Sequence, residues 1–495
     1  MIESYLPLLA VCIGALAMPF ILLSGRKPNL REFWTILAAF LKFGLVLLIL
    51  HRSQSGDVLQ TTLFEIAAGI SIVLRADTFG LYFAIIASGL WIFTSFYSIG
   101  YVRGAGEKHQ TRYFASFALC LTATLGIAFS GNLFTFLLFY ELLTLATYPL
   151  VVHKETPKAI AAGRKYLSYT LVAGLMLVVA TGLVYAYTGS LDFRAGGILN
   201  EANLPAGVVV FIFLLFLGAV GVKAGIMPLH SWLPAAMAAP TPVSSLLHAV
   251  AVVKSGVFGV IRVVGFVMGP EMMEQFALNQ ILMVMAGTTV IIASLLAFQQ
   301  DNLKRRLAYS TVGHLSYIVL GASLLTQLGM QGAIMHIAAH ATMKITLFFS
   351  AGAIYVNLHR DNISQLDGIA KVMPWTMAAF TIGALGLAGV PPINGFLSKW
   401  YLALGSLQGE HYIPLVVLVI SGLLNLGYFY PIVRRAYFGD PDGLDGYGEA
   451  SPLMVVPIVS AATLSLLFGL FPDLFFGFFS MAQSVAADLM AGGTQ

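Results

Sequence analysis

An all-α integral membrane protein with about fourteen transmembrane helices follows from three properties of this 495-residue chain. Hydrophobic residues make up 58% of it and charged residues only 10%, far below the roughly 25% charged content of soluble domains. Apolar runs of about 20 residues, enough to cross a hydrocarbon core of about 30 Å, recur from the first residues to the last and leave no window for a soluble domain. The basic residues alternate. Seventeen Lys and Arg fall in loops 25–31, 102–112, 153–165, 301–306, 357–372 and 434–435, and the alternate loops hold only Arg52, Arg75 and Arg194. A positive-inside bias that keeps one phase along the whole chain predicts that both termini face the non-cytoplasmic side. The net charge of +4 then reflects membrane orientation, and a nucleic-acid partner has no basic patch to use.

The expected spans are 4–24, 32–51, 78–100, 113–130, 133–152, 166–187, 207–229, 241–267, 277–298, 307–325, 328–356, 373–403, 413–437 and 453–480. The first has no basic n-region and runs into "ILLSGRKPNLREFW", a stop-transfer flank and not a signal-peptide cleavage site. Residues 56–77 are less hydrophobic, and "GISIVLRADTFG" has the β-branched character of a short surface hairpin. Cys12 and Cys120 lie in spans, which leaves neither a disulfide framework nor a metal knuckle. "FPDLFFGFF" near the end reads as lipid-facing or packing surface.

Six basic residues fall inside spans: Lys42, Lys223, Lys254, Arg262, Lys344 and Lys399. A charge at mid-membrane costs roughly 2.5–3.5 kcal/mol on insertion scales, so each needs an explanation. Lys42 and Arg262 lie near enough to span ends to snorkel to the headgroups. The other four sit deeper. Glu141, in "FTFLLFYELLTLATYPLV", is the one carboxylate well inside a span, and a buried lysine is its natural partner. Lys223 supplies one in the seventh span, followed by Pro228, whose missing N–H opens the helix. A second break at Pro391 and Pro392 precedes Lys399. Two interrupted helices carrying lysines suggest related halves and ion sites of the discontinuous-helix kind.

His248 and Lys254 stand six residues apart on the eighth span, about 600° around an α-helix, and are expected to address different neighbours. In "HIAAHATMKITLFF", His336, His340 and Lys344 recur every four residues as a drifting stripe on one face of an otherwise lipid-compatible helix. Such a stripe is a candidate ladder of proton-carrying groups, since imidazole donates or accepts near neutral pH. His314 and His230 read as packing elements. No nucleotide loop, metal-ligand cluster or hydrolytic triad is visible, so no cofactor is expected.

"YELLTLATYPLV", "KAGIMPLHSWLPAAMAAPTPVSSLLHAVAVVKSGVFGVIR", "DNLKRRLAYSTVGHLSY", "HIAAHATMKITLFFSAGAI" and "GLAGVPPINGFLSKW" carry a family resemblance. Through about residues 75–440 the chain resembles the antiporter-like membrane subunits shared by respiratory complex I, membrane-bound hydrogenases and Mrp-type cation/proton antiporters. The resemblance implies N-terminal helices over 1–112, inverted five-helix repeats over 113–267 and 277–437, and a last helix within 438–495, with helices 7 and 12 broken. It places the family's glutamate–lysine pair on Glu141 and Lys223, the central lysine on Lys254 with His248, the helix-eleven pair on His340 and Lys344, and the last lysine on Lys399. Lys399 disfavours the complex I member with glutamate there, and the His340/Lys344 pattern disfavours the smallest complex I member. What remains resembles the D-type subunits of Mrp antiporters. The implied function is proton movement along Glu141, Lys223, Lys254, Lys344 and Lys399 with their histidines, in a bacterial or archaeal cell membrane. The expected partners are the lipid bilayer, other subunits of an antiporter complex, protons and Na+, with Li+ or K+ as further candidates. The alternatives are a proton-pumping subunit of a redox-driven complex and a structural scaffold.

Overall fold

The computed structural model describes residues 1–492 apart from 68, 202–203, 442–445 and 447. Its helices are α1 Leu6–Leu23, α2 Pro28–Ser53, α3 Thr78–Gly104, α4 Gln110–Ala128, α5 Leu133–Val151, α6 Pro157–Thr188 and α7 Ala206–Ala224. They continue with α8 Thr241–Met268, α9 Leu278–Phe298, α10 Leu303–Ser323, α11 Gln327–Leu358, α12 Pro374–Ala388, α13 Asn394–Gln408, α14 Tyr412–Phe438, α15 Pro452–Leu470 and α16 Phe478–Met490. Twelve of these are long and apolar enough to cross a membrane. The tenth crossing, α10, is less apolar because Lys304, Arg305, Arg306, Ser310, His314 and Tyr317 lie on it, yet it is buried along most of its length. A polar helix can cross where protein, not lipid, surrounds it. With α10, and with α12 and α13 as two halves of one interrupted crossing, the count among the described residues is fourteen.

Contacts between connections support that count. Backbone amides of Arg75 and Gly131 donate to the carbonyls of Phe129 and Val73, those of Leu133 and Phe193 to Leu191 and Gly131, and that of Gly196 to Gly265, all on one membrane face in a fourteen-crossing topology. Leu303 to Asp361 and Gly368 to Arg435 join connections on the other. The expected surface hairpin is present: strand β2 (Leu59–Ala67) pairs antiparallel with β3 (Ile70–Ala76), and β1 (Ile2–Glu3) adds in parallel to β2. Asp77 then caps α3 by accepting from the Gly80 amide at 2.7 Å, the usual role of an N-cap carboxylate.

Two expectations need correction. The last crossing ends at Leu470 and does not reach 480; the chain turns, Asp473 accepts from the Ser480 amide at 2.9 Å and its hydroxyl at 2.7 Å, and the separate helix α16 follows. Phe471 and Phe475 in that turn are exposed, while Phe478 is buried. The eleventh crossing is also not a lipid-facing helix with one polar stripe. Every residue of α11 from Gly329 to Ile354 is buried, with α8, α10, α12, α13, α15, α16 and α3 packed around it. Its small and apolar residues meet protein, so its polar stripe lies at the centre of the fold.

Candidate functional site: a buried row of lysines and histidines

Both broken crossings expose carbonyl oxygens. After α7, Gly225 takes a left-handed conformation (φ +70°) and Pro228 lies in the gap before a short helix at Trp232–Ala235. Trp232 Nε1 donates back to the Val222 carbonyl at 2.8 Å. Gly389 (φ +94°) ends α12 in the same way, and Pro391 and Pro392 occupy the gap before α13. Here Lys399 Nζ donates to the carbonyls of Leu387 at 2.6 Å and Ala388 at 3.2 Å, which the helix end has left without intrahelical partners. A lysine on a helix C-terminus also meets the favourable end of its dipole.

The buried lysines use the same chemistry. Lys223 donates from Nζ to the Tyr140 carbonyl at 2.6 Å and lies 3.5 Å from the centre of the Tyr140 ring. It makes no ion pair with Glu141. The carboxylate of Glu141 instead lies against Gly174 of α6, where an added Cβ would stand 2.6 Å from it, and its Oε1 is buried without a hydrogen-bond partner. The expected pair therefore occupies adjacent positions around Tyr140, with the backbone carbonyl and the ring holding the ammonium. Lys344 Nζ donates to the Leu307 carbonyl at 3.1 Å and the Ser310 hydroxyl at 2.7 Å.

Lys254 differs, because its partner is titratable. Nζ lies 2.8 Å from His340 Nδ1, with both side chains fully buried. That is within the range for direct proton transfer, and imidazole can take a proton on one nitrogen and release one from the other. α8 reaches this position by crossing close to the end of α7. A Cβ at Gly256 would lie 2.4 Å from the Lys223 carbonyl carbon, so only glycine permits the approach.

His248 does not point to a different neighbour from Lys254: its ring packs 5.1 Å from that of Phe348, so both residues meet α11. The reason is a wide π-turn over Leu246–Val250, which interrupts the 100° per residue from which the divergence follows. Both ring nitrogens of His248 are buried without hydrogen-bond partners.

His340 Nε2 is buried without a hydrogen-bond partner, and the next polar groups lie across a ring contact. The rings of His340 and His314 lie 5.6 Å apart, and His314 Nδ1 lies 3.2 Å from His336 Nε2 with the rings stacked. His336 Nδ1 lies 2.8 Å from the Ser398 hydroxyl, and His314 Nε2 lies 3.3 Å from the Asn425 amide. In the orientation that satisfies both ends of that amide, its oxygen accepts from Lys399 Nζ at 3.1 Å and from the Tyr317 hydroxyl at 3.1 Å. Its nitrogen then donates to the Tyr428 hydroxyl at 3.0 Å, and Tyr428 in turn meets Ser310 at 2.6 Å, the partner of Lys344. His314 is therefore a junction, not a packing element. Asn425, Tyr317, Tyr428, Ser310 and Ser398 complete a network that sequence reading did not assemble. The available signals were His314 flanked by Ser310 and Tyr317 at helical spacing, and a lone Asn425 in an apolar span.

Neither residue expected to snorkel does so. Lys42 is fully buried and donates to the carbonyls of Val11 at 3.3 Å and Leu121 at 3.2 Å. It lies eleven residues from the end of α2, about 16 Å at 1.5 Å per residue, too far for a lysine to reach water. Arg262, 1% exposed, pairs with Asp77 at 2.7 Å and is surrounded by Phe79, Phe193, Phe258 and Phe266 at 4.4–5.2 Å. The way outward is closed by that aromatic packing.

Residues 130–425, more than half of the chain, match the family described as NADH:quinone oxidoreductase/Mrp antiporter, TM. The chain belongs to this family. Among curated members it is 34% identical to the N subunit of the NADH-quinone oxidoreductase of Desulforudis audaxviator over 71% of both chains. It is 28% identical to the D subunit of the Na(+)/H(+) antiporter of Alkalihalophilus pseudofirmus over 94% of this chain and 93% of that one. Its fold matches a chain of the membrane-bound sulfane sulfur reductase, an archaeal respiratory membrane complex, with a TM-score of 0.87, 23% identity and 99% of this chain and 100% of that one covered. Membership is therefore shared with both antiporter and redox-complex subunits.

Proposed function

We propose that this chain is the proton-translocating subunit of a multi-subunit Na+/H+ antiporter of the Mrp type, and not itself an enzyme. The observation that carries the reading is the buried contact of Lys254 with His340, whose ring lies 5.6 Å from that of His314, itself joined through Asn425 to Lys399. Burying so many ionisable groups is costly, and a scaffold has no use for a row that leaves atoms of Glu141, His248 and His340 buried without hydrogen-bond partners. Similarity over nearly the full length of an antiporter's D subunit favours the antiporter over its relatives.

In this reading protons pass from Glu141 and Lys223, around Tyr140, to Lys254. Lys254 gives its proton to His340 Nδ1, and the histidines His336 and His314 carry it toward Asn425 and Lys399, with Lys344 joined to the same network through Ser310 and Tyr428. His248, beside Phe348, flanks this path. Groups that share one network titrate together, so a charge arriving at one lysine disfavours a charge on the next. Sodium or another monovalent cation crosses in the same complex. The chain sits in a bacterial or archaeal cell membrane with both termini on the non-cytoplasmic side.

A redox-driven proton pump is the second reading, favoured by the 34% identity to an oxidoreductase subunit. Sodium-driven proton flux in vesicles carrying the whole native complex separates the two. The antiporter reading expects flux in wild type that is lost in Glu141→Gln and Lys223→Ala at matched assembly. Proton movement that needs an electron donor and ignores sodium would replace it with the redox reading.

A further inference from the structure

A recess of about 760 Å³ opens on the membrane face where α6, α8 and α10 begin. Its wall carries Lys154, Lys158, Lys165, Lys304 and Arg305 against one carboxylate, Asp361. Lys154 is offset by Glu107 at 3.5 Å, and Lys304 donates to the Ala239 carbonyl at 2.7 Å. Lys158, Lys165 and Arg305 are exposed. Thr156, Asn302 and Thr241, at the N-terminal ends of α6, α10 and α8, also line it, so the positive ends of three helix dipoles add to the side-chain charge. A recess of this charge repels hydronium and attracts anions, which makes it a poor port for a free proton.

One feature of α6 distinguishes a lipid from a soluble anion. Lys158, Ala161 and Lys165 line the recess, and the same helix face continues at i+3/i+4 spacing through Val172, Leu175 and Val179, which are 54%, 67% and 48% exposed. The neighbouring helix α7 adds Phe211 and Leu214, also exposed. A basic recess that runs into an apolar surface matches an amphiphile with a phosphate at one end and acyl chains at the other. Basic pockets between transmembrane helices take anionic headgroups in this way.

We propose that this recess is a binding site for the phosphate of an anionic phospholipid, whose acyl chains lie along the outer face of α6. The phosphate contacts Lys158 and Lys165 and faces the segment after the α7 break, which supplies Pro234, Ala235 and Met237 to the wall. The site is independent of whether the complex is an antiporter or a redox pump.

The test measures phosphatidylglycerol binding to the delipidated intact complex by native mass spectrometry, with phosphatidylcholine and inorganic phosphate as comparisons. Lys158→Ala/Lys165→Ala removes two exposed cations and leaves the buried network alone. Near-surface basic residues contribute about fivefold each, so the double variant is expected to hold the tightest phosphatidylglycerol about 25-fold more weakly. Phosphatidylcholine binding should not change, and Lys371→Ala/Arg434→Ala, elsewhere on the same face, should stay within twofold of wild type. Unchanged phosphatidylglycerol affinity in the first variant, or an equal loss in the second, would overturn the site. Displacement of the lipid by equimolar inorganic phosphate would assign the recess to a soluble anion, and loss of a neighbouring subunit from the first variant would assign it to a protein partner. Either result also overturns the proposal.

Discussion

Replacing His340 by alanine removes the one hydrogen-bond partner that the Lys254 ammonium has among the described residues, Nζ lying 2.8 Å from Nδ1 in a fully buried setting. Hydrogen bonds to a charged group contribute about 1.5–3 kcal/mol, and a step that depends on this contact should slow by about 10- to 150-fold. Lys254→Ala deletes the other half of the same contact, so each single variant should lose most of the flux. If proton passage runs through the pair, the double variant should lose little more than the worse single one, because residues acting as a unit are not additive. The assay is initial proton flux in vesicles carrying the intact complex, normalised to assembled protein. Losses that multiply in the double variant, or His340→Ala flux within twofold of wild type, would refute a relay through this contact.

Gly174→Ala places a Cβ 2.6 Å from the Glu141 carboxylate, an overlap of the kind that costs about 1–3 kcal/mol; it should reproduce the flux defect of Glu141→Gln, whereas Gly182→Ala, with open space at its Cβ, should be silent. Arg262→Ala strands Asp77, and since breaking a buried pair costs about 3–5 kcal/mol and Asp77 is 27% exposed, a loss at the low end of that range is expected as a lowered thermal midpoint, partly restored in Arg262→Lys. His153, outside the membrane, is buried, and that burial first, with Arg112 and His109 adding to it, pushes its pKa down to about 4. Because the unfolded chain takes up a proton near pH 6.5 that the folded one refuses, stability should be constant above that pH and fall between about 6.5 and 4. His153→Gln should flatten this slope in melting curves; an unchanged slope would place the titration elsewhere.

Composition and the phase of basic loops suffice for a polytopic helical protein, because lipid forces every backbone polar group into an internal hydrogen bond and that constraint is written in hydropathy. The hairpin before α3 and the helix breaks at Pro228, Pro391 and Pro392 were legible for a similar reason: β-branched runs and prolines act on their own backbone. So were the deep lysines, since an ammonium in an apolar run is conspicuous wherever it packs. What they bond to was not legible. Lys42 and Arg262 occupy positions that read as snorkelling, and only the packing of α1, α4 and the phenylalanines around them decides that they stay inside. Lys254 meets His340, and His314 joins His336 to Asn425, across 86, 22 and 111 residues of sequence. Helical periodicity says which side of its own helix a residue takes, but the π-turn at Leu246–Val250 changes even that for His248. Which side faces which neighbour is set by how fourteen crossings pack around α11, and that is a property of the tertiary structure alone.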